Sequence, residues 1–384
     1  MSHGPPASRV VGEPRWRSPD PDMTLTASNP QQASRSMASA AATPEAAQLP
    51  SPAEWRAMIA PYQQADHGKA LWQVINSHGS YVLVWLAMIA LWQVAWWLAL
   101  PLAFVAAGLL VRIFIVSHDC GHGSFSRSRT VNSVLGFVSG VLTFVPFRHW
   151  TSEHAEHHRT SGDLDRRGVG DIWTMTLDEY VHASRTRRVL YRLSRNPFVL
   201  FVLAPLPIFL VYQRFATKGV PWRDRVSVWA TNVAIVAMIA GMIWAVGLVP
   251  YLVLQGTATL VSCAAGMWLF YVQHQHEDAY WRRTGEWNYT AAALVGSSFY
   301  RLPRLLQWFT GNIGFHHIHH LDSRIPNYHL EECHRSQPLF QRVKSMGLRQ
   351  SWRAASLVLW DEARGKLVDF REARRIRLQR AAAA

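Results

Sequence analysis

The sequence has few cysteines and none of the clustered motifs that bind redox cofactors. Its three cysteines, Cys120, Cys263 and Cys333, stand at unrelated spacings, and no Cys-x-x-Cys pair occurs. An odd number of scattered cysteines excludes a disulfide framework and points to a chain that faces the cytosol rather than a secreted one. Iron–sulfur centres need clustered thiolates, so none is expected. The His-Pro-Gly-Gly segment of a cytochrome-type haem domain is absent as well.

Two long stretches lack charged side chains altogether. Gly79 to Val111 contains none, and neither does Val226 to Gln273. Extended to Ser117, the first stretch would form a helix roughly 58 Å long, about twice the ~30 Å hydrocarbon thickness of a bilayer. Each stretch is therefore predicted to form a helical hairpin with two membrane spans. A buried hairpin in a soluble protein is the less favoured alternative at these lengths.

The hairpins are assigned from their turn residues. Pro101 is expected at the bend of the first, which gives spans at about 81–98 and 101–117. Gly247 and Pro250 mark the turn of the second, which gives spans at about 226–246 and 251–272. The sequence thus predicts an all-α membrane protein with four transmembrane helices in two hairpins and a cytoplasmic helical domain.

Two shorter apolar runs, Val131–Phe147 and Phe198–Tyr212, are too short for comfortable spans. The second has basic residues on both sides, which argues against a crossing because Lys and Arg favour the cytoplasmic side. Both runs are expected at the membrane interface or beneath the cytoplasmic domain. Both termini are then cytoplasmic, in what is expected to be a bacterial inner membrane.

The remaining composition fits this division. Residues 1–50 are rich in Ser, Ala and Pro and are predicted to be disordered, whereas 51–384 form the membrane domain. Pro52 to Gln64 is expected to be a short amphipathic helix. The chain carries 39 Lys and Arg against 25 Asp and Glu, a net charge of +14. The apolar runs make a membrane surface, rather than nucleic acid, the expected reason for this basic balance.

Three histidine clusters carry the chemistry. On a helix, positions i, i+3 and i+4 share a face, so the side chains of each cluster are expected to point together. Two, three and three histidines give eight imidazoles, enough for two metal ions with open positions, although imidazole alone does not select the metal. The clusters are His118 and His122; His154, His157 and His158; and His316, His319 and His320.

The predicted topology brings these clusters to one side of the membrane, because two spans separate the first from the third. His274 ends the fourth span on that side and is the candidate ninth ligand; the alternative is an interfacial histidine without metal. His317 lies about 100° around the helix from its neighbour and is not expected to bind. His276 is expected to face elsewhere, and His149 is a candidate to support a ligand from behind.

At these residues the sequence resembles the membrane fatty acid desaturase family. HDCGHGSF (118–125), HAEHH (154–158) and GNIGFHHIHHL (311–321) are similar to its three histidine boxes. The stretches at 164–180 and 271–281 resemble its bacterial members, and the Δ12 (omega-6) acyl-lipid subclass is the most similar. His276 departs from the family pattern, in which an aromatic residue is expected.

The resemblance implies a diiron centre, O2 as co-substrate, and removal of two hydrogens from adjacent methylenes of a fatty acyl lipid. Because the methylenes have no acidic proton, acid–base side chains cannot attack them, and the bound metal must supply the chemistry. Two residues are candidates to support ligands from behind: Asp119 beside His118, and Asn312 before the third box. Asn312 has the alternative role of capping the third-box helix.

Electrons are expected from a separate ferredoxin-like or cytochrome-type protein, because the chain has no carrier motif of its own. Basic residues after the second box either dock such a donor or simply follow the bias of positive charge toward the cytoplasm. These residues are Arg185, Arg187, Arg188, Arg192 and Arg195.

Three rival functions remain at this point. A hydroxylase or ketolase of the same superfamily, acting on an alkane or a carotenoid, would share the boxes and differ in its product. A metal transporter with a histidine-rich cytoplasmic domain would need polar residues inside its spans, and 81–98 and 226–272 contain no charged residue or histidine. A haem-binding bundle would need isolated histidines on paired helices rather than adjacent pairs.

Overall fold

The computed structural model describes residues 49–382 with the exception of Val169. The predicted disorder of residues 1–50 therefore falls, apart from the last two positions, outside the described residues. The described chain begins with α1 (Pro52–Ile59), whose first turn is closed by a reciprocal cap. The Ser51 hydroxyl accepts from the Glu54 N–H, and the Glu54 carboxylate accepts from the Ser51 N–H. This arrangement satisfies two backbone donors that a helix start leaves open.

The first hairpin is built from two continuous helical stretches. Helix α2 (His67–Val74) passes through a π-helical turn, Ile75–Gly79, into α3 (Ser80–Val94). Helix α4 (Trp96–His122) then returns along α3.

The bend of this hairpin lies at Ala95, not at Pro101 as predicted. Ala95 is extended, with φ −160° and ψ 121°, whereas Pro101 lies inside α4 near its start. Pro101 is the sixth residue of α4, so the helix loses the hydrogen bond that an N–H there would donate to the carbonyl of Trp97, yet it continues past this position. With the bend at Ala95, both helices of the hairpin are still long enough to cross a bilayer.

A tight connection turns the chain back toward the end of α4. Helix α5 (Arg129–Leu142) packs along α4, where the Ser117 hydroxyl donates to the Gly136 carbonyl at 3.1 Å. Helix α6 (Phe147–Thr160) then leaves α5 at 98°. Gly140 allows this turn, because a Cβ there would lie 2.5 Å from the carbonyl oxygen of Val145. The run 131–147 is thus mainly a helix packed beside α4.

The segment after α6 is made of short pieces. Strand β1 (Met175–Thr176) and α7 (Leu177–His182) precede α8 (Arg185–Ser194). The run 198–212 contains a π-helical turn and α9 (Pro205–Leu210), so it forms no continuous span of its own.

The second hairpin consists of α10 (Trp222–Val246) and α11 (Leu248–His274). They are joined at Gly247, whose φ of +89° is a conformation that favours glycine. Among the described residues, four helical stretches are long and apolar enough to cross a bilayer, and the two bent pairs α5–α6 and α8 to Arg214 would raise that number to six if each were one span. Apolar side chains such as Trp244, which is 90% exposed, cover their outer surfaces. The predicted helical architecture with four membrane-length helices is confirmed.

The rest of the chain forms a cap over the ends of α4 and α11. The Gln273 side chain donates to the carbonyl of Ile313 at 2.8 Å, which joins the last turn of α11 to the segment before the third box. The elements of the cap are α12 (Tyr289–Leu294), β2 (Phe299–Arg301), α13 (Arg304–Phe309), α14 (His316–Leu321), α15 (Asn327–Ser336), α16 (Pro338–Gln341), β3 (Ser345–Gly347), α17 (Leu348–Ala354), β4 (Leu359–Asp361), β5 (Lys366–Val368) and α18 (Phe370–Ala382). Strand β4 pairs with β1 in parallel and with β5 in antiparallel orientation, and β2 pairs with β3 in parallel.

Candidate metal centre

The first histidine box closes α4. His118 and His122 occupy its last two turns, and Gly123 ends the helix in the left-handed conformation with φ +71°. The N–H of Gly123 bonds back to the carbonyls of Asp119 and Cys120, a common glycine helix end. The last turn therefore keeps its helical geometry up to His122, and both imidazoles project from one side.

The other ligand candidates come from three further helices. His154, His157 and His158 lie on α6, and the third box forms the short helix α14. His274 is the last residue of α11. The predicted convergence of the three clusters is confirmed, since all of them contribute nitrogens to two groups whose ligand atoms lie within 4.8 Å of one another.

Nine histidines divide into a group of five and a group of four. The first box contributes to one group only, whereas the second and third boxes each contribute to both. Helical angles explain this division. Residues i and i+4 differ by about 40° around a helix, whereas i+3 lies about 60° to the other side of i. His154 and His158 therefore share a group while His157 reaches the other. The five-histidine group is His118, His122, His154, His158 and His319; the four-histidine group is His157, His274, His316 and His320.

The spacing of the nitrogens fits a shared cation in each group. The Nε2 atom of His154 lies 3.0 Å from that of His118 and 3.1 Å from that of His158. The Nε2 atom of His274 lies 3.2 Å from that of His157 and 3.0 Å from that of His316. Imidazole binds a divalent metal at about 2.1 Å, so two ligands at right angles have nitrogens about 3.0 Å apart.

Burial makes a cation the natural partner of these rings. Loss of solvent, followed by the charges of neighbouring histidines, lowers the pKa of His316, His319 and His320 well below its usual range. Neutral imidazoles keep the lone pair that binds metal. Within the described residues, buried Nε2 atoms of His122, His319 and His320 have no hydrogen-bond partner. Unpaired buried polar atoms are costly unless something binds them, so the donor set fits two metal ions.

The Asp119 carboxylate contacts the His118 ring on the nitrogen that does not face the other histidines. The Asp119 Oδ1 atom lies 2.9 Å from Nδ1 of His118, which leaves Nε2 of that ring for the metal. Oδ2 of Asp119 accepts from the backbone N–H of Asn327 at 2.6 Å and from its side-chain amide at 2.8 Å. Asn327 begins α15 and is almost fully buried. Sequence reasoning did not identify Asn327, because no local spacing connects it with a residue about two hundred positions earlier.

Asn312 does not cap the third-box helix, contrary to one prediction. Phe315 precedes α14, and no side chain caps it. Asn312 has a left-handed φ of +59°, and only its backbone carbonyl accepts from the Phe315 N–H. Its side chain donates to the carbonyl of Asn327 at 3.2 Å and accepts from Gln307. Asn312 is thus connected to His118 through Asn327 and Asp119.

Three histidines discussed in the sequence analysis, His149, His276 and His317, lie outside both groups. His317 pairs with His334, with 3.1 Å between Nε2 and Nδ1. His149 lies 3.3 Å from the hydroxyl of Thr217 and contacts Glu153. His276 is fully buried, and neither of its ring nitrogens has a hydrogen-bond partner among the described residues.

A narrow cleft reaches the four-histidine group. His157 and His274 form part of its wall, together with the apolar or aromatic side chains of Ile172, Phe270 and Trp281. Burial raises the pKa of Asp171, which also lines the cleft, to about 6. The lining beside the two histidines thus mixes apolar with polar side chains.

Comparison with known proteins decides which family uses this arrangement. A family model described as fatty acid desaturase matches residues 95–351. The chain is also 43% identical over 318 residues to a fatty acid desaturase of Bacillus subtilis (strain 168), which covers 83% of this chain and 90% of that protein. The chain belongs to the fatty acid desaturase family.

Plant desaturases are more distant relatives. The desaturase is 30% identical over 251 residues to a chloroplastic sn-2 acyl-lipid omega-3 desaturase (ferredoxin) of Helianthus annuus, which covers 62% of this chain and 55% of that protein. It is 28% identical over 257 residues to an endoplasmic reticulum omega-3 fatty acid desaturase of Vigna radiata var. radiata, covering 62% and 65%. The desaturase is therefore an O2-dependent oxidoreductase of the membrane, and fatty acid desaturation takes place at its histidine-lined metal site.

Proposed function

We propose that this desaturase introduces a Δ12 (omega-6) double bond into the acyl chain of a membrane lipid. The observation that carries the metal chemistry of the proposal is the division of nine buried or partly buried histidines into two groups of close-set nitrogens. Each group holds one iron ion: the five histidines around His154 hold one, and the four around His274 hold the other. His274 is thus a ligand outside the three boxes.

Bound iron supplies the oxidising power, drawn from O2 and two electrons, that an unactivated methylene requires. The reaction balances when two hydrogens leave the acyl chain and O2, two electrons and two protons yield two molecules of water. The protein contributes orientation: Asp119 fixes the His118 ring, and supporting residues of this kind typically tune metal affinity 10- to 100-fold. Burial of the histidines excludes bulk water, which protects the reaction from side products.

An acyl lipid fits the surroundings of the site. The histidine groups lie at the ends of α4 and α11, where the membrane-length helices meet the cap. Apolar side chains cover the outer surfaces of these helices, so the site lies next to the lipid that would supply the acyl chain. The Helianthus relative, which is named as an acyl-lipid enzyme, supports the same substrate class.

An omega-3 double bond is the second candidate, because the plant relatives are named as omega-3 desaturases. The similarity of the boxes and flanking stretches to bacterial Δ12 enzymes favours the omega-6 position. The two proposals predict different products from the same lipid. A hydroxylated product in place of an alkene would overturn both.

Electrons reach the site from a separate one-electron carrier, because the sequence contains no haem or iron–sulfur motif. The Helianthus relative is named as a ferredoxin enzyme, which supports a ferredoxin-like donor. We place the site and both termini on the cytoplasmic side of the membrane, where such a carrier is available.

The decisive experiment is expression in a host that lacks polyunsaturated fatty acids, followed by chromatography of the lipids. Oleoyl chains should become linoleoyl chains. A variant with His154→Ala and His157→Ala, which removes one ligand from each group, should produce none. New double bonds only at the omega-3 position would support the second candidate instead.

A further inference from the structure

Tyr289 connects the protein surface with the backbone of a metal-site histidine. It is 37% exposed, yet its hydroxyl donates to the carbonyl of His320 at 2.9 Å and lies 3.2 Å from the carbonyl of Leu321. His320 belongs to the four-histidine group. A molecule that contacts Tyr289 is therefore connected to the His320 ring by the Tyr289 side chain, one hydrogen bond and the backbone of His320.

Aromatic rings and arginines surround Tyr289. The rings of Trp55 and Trp287 lie 6.4 and 6.2 Å from its own. Arg56 and Arg324 are close enough for their charges to act on its hydroxyl, as is Asp322. Arg166 lies over the Trp287 ring at 5.5 Å. We call this surface the Tyr289 patch; it comprises Arg56, Arg166, Trp287, Tyr289 and Arg324, whereas Trp55 beside them is buried.

The patch presents positive charge outward although two of its arginines are ion-paired. Arg324 is 62% exposed, whereas its partner Asp322 is 9% exposed. Arg166 is 41% exposed, whereas its partner Asp163 is fully buried. Arg56 is exposed and makes no ion pair within the described part of the chain. An approaching protein meets the guanidinium groups first, and arginine with aromatic neighbours is the composition typical of strong binding sites.

The basic residues predicted from the sequence to meet the donor are less suitable. Helix α8 exposes Val189, Leu190 and Leu193 beside Arg185 and Arg187, and this mixture fits a lipid surface. Arg195 is buried, and its guanidinium donates to Thr174 and to neighbouring backbone carbonyls. None of the described hydrogen bonds of α8 leads to a histidine of either group.

We propose that the Tyr289 patch is the docking and electron-entry surface for an acidic [2Fe–2S] ferredoxin, an inference that rests on the proposed use of an external carrier. Each reduced ferredoxin gives up one electron, which passes through Tyr289 and the backbone of His320 toward the iron held by the four-histidine group. Two such transfers supply the electrons that the balanced reaction needs.

Binding tests the surface without requiring activity. The full-length protein in lipid nanodiscs, free of metal, is titrated with an acidic plant-type [2Fe–2S] ferredoxin at several salt concentrations. The double variant R56E/R324Q should weaken binding about tenfold or more at low salt and flatten the salt dependence, because charges at a rim control encounter. The matched variant R185E/R187Q removes the same charge from α8 and should change Kd less than about twofold.

Electron entry is tested with Tyr289→Phe, which keeps the ring and removes the hydroxyl. In iron-loaded protein, ferredoxin oxidation measured by stopped flow should slow several-fold, while ferredoxin affinity and reduction by dithionite stay unchanged. The inference is overturned if ferredoxin does not bind the unmodified protein, if R56E/R324Q binds normally, or if R185E/R187Q loses binding equally. Failure of the dithionite-reduced protein to desaturate lipid would instead overturn the proposed function, because the binding readout does not depend on it.

Discussion

His274 is a ligand candidate that was predicted from its place in the chain and not from a histidine box. Its position at the end of the last span placed it level with the first box, and the structure sets its Nε2 atom within 3.2 Å of those of His157 and His316. His317 lies inside the third box, yet pairs with His334. The ring positions of both residues agree with the expectation from topology and helical angle, and metal binding by His274 stays a prediction.

His274→Ala should release the metal of the four-histidine group and leave that of the five-histidine group in place, because it removes one of only four nitrogens. His317→Ala should keep both metals, although the cavity it leaves will lower thermal stability. Iron per chain, measured by mass spectrometry on purified protein, distinguishes these outcomes. If His317→Ala lost iron while His274→Ala retained two per chain, the assignment of the third box would be wrong.

Asn327 is a residue that sequence reasoning could not reach. Its two donors fix Asp119, which in turn orients His118. Contacts of this kind between residues far apart in the chain depend on how the cap folds over α4. Asn312 was recognised from its position before the third box, but its hydrogen bond to Asn327 could not be predicted from the sequence either.

Asn327→Asp replaces a donated hydrogen bond with a second carboxylate beside Asp119. The resulting repulsion should displace Asp119 from His118 and weaken metal binding by the five-histidine group about 10- to 100-fold. Competition of the metal-loaded protein with a chelator measures the loss. Asn312→Ala leaves both donors to Asp119 in place and serves as the control. Equal losses in the two variants would show that Asn327 acts through general stability alone.

At the level of helices, length was easier to predict than the position of a bend. The charge-free runs indicated two hairpins, but the first bend was predicted at Pro101, which lies inside α4, whereas the chain turns at Ala95. The same limit applies to α6. Its histidines were recognised, whereas the 98° turn that carries them back to α4 depends on close packing at Gly140 and the backbone of Val145.

Gly140→Ala should therefore disturb the second box. The added Cβ would lie 2.5 Å from a backbone oxygen, which cannot move as freely as a side chain. Overpacking of this kind typically costs about 1–3 kcal/mol, and iron content should fall as α6 shifts. Gly241→Ala in α10 meets nothing within 4 Å and should be neutral or stabilise the helix by up to about 1 kcal/mol. Thermal unfolding in nanodiscs compares the two, and similar losses would contradict the packing argument.

For the whole molecule, the three histidine boxes lie together, and this constrains how often the chain crosses the membrane. His274, at the end of α11, lies beside histidines of α6 and α14. If α10 and α11 cross in opposite directions, Trp222 begins α10 on the same side as the metal groups. The segment between Thr160 and Trp222 then starts and ends on the same side of the membrane, so it cannot cross the membrane an odd number of times. This conclusion agrees with the basic flanks that kept 198–212 out of the predicted spans.

Cysteine labelling tests this topology. The native cysteines are all buried and free, so they should give little background. Val94→Cys and Leu248→Cys place thiols at the two hairpin turns and should react with a membrane-impermeant maleimide added to intact cells. Lys218→Cys and Arg371→Cys should react only after the cells are opened, because the proposed topology puts both positions on the cytoplasmic side with the metal groups. Labelling of Lys218→Cys in intact cells would mean that the segment before α10 crosses the membrane, which would put His274 on the opposite side from the first two boxes and contradict the four-span topology.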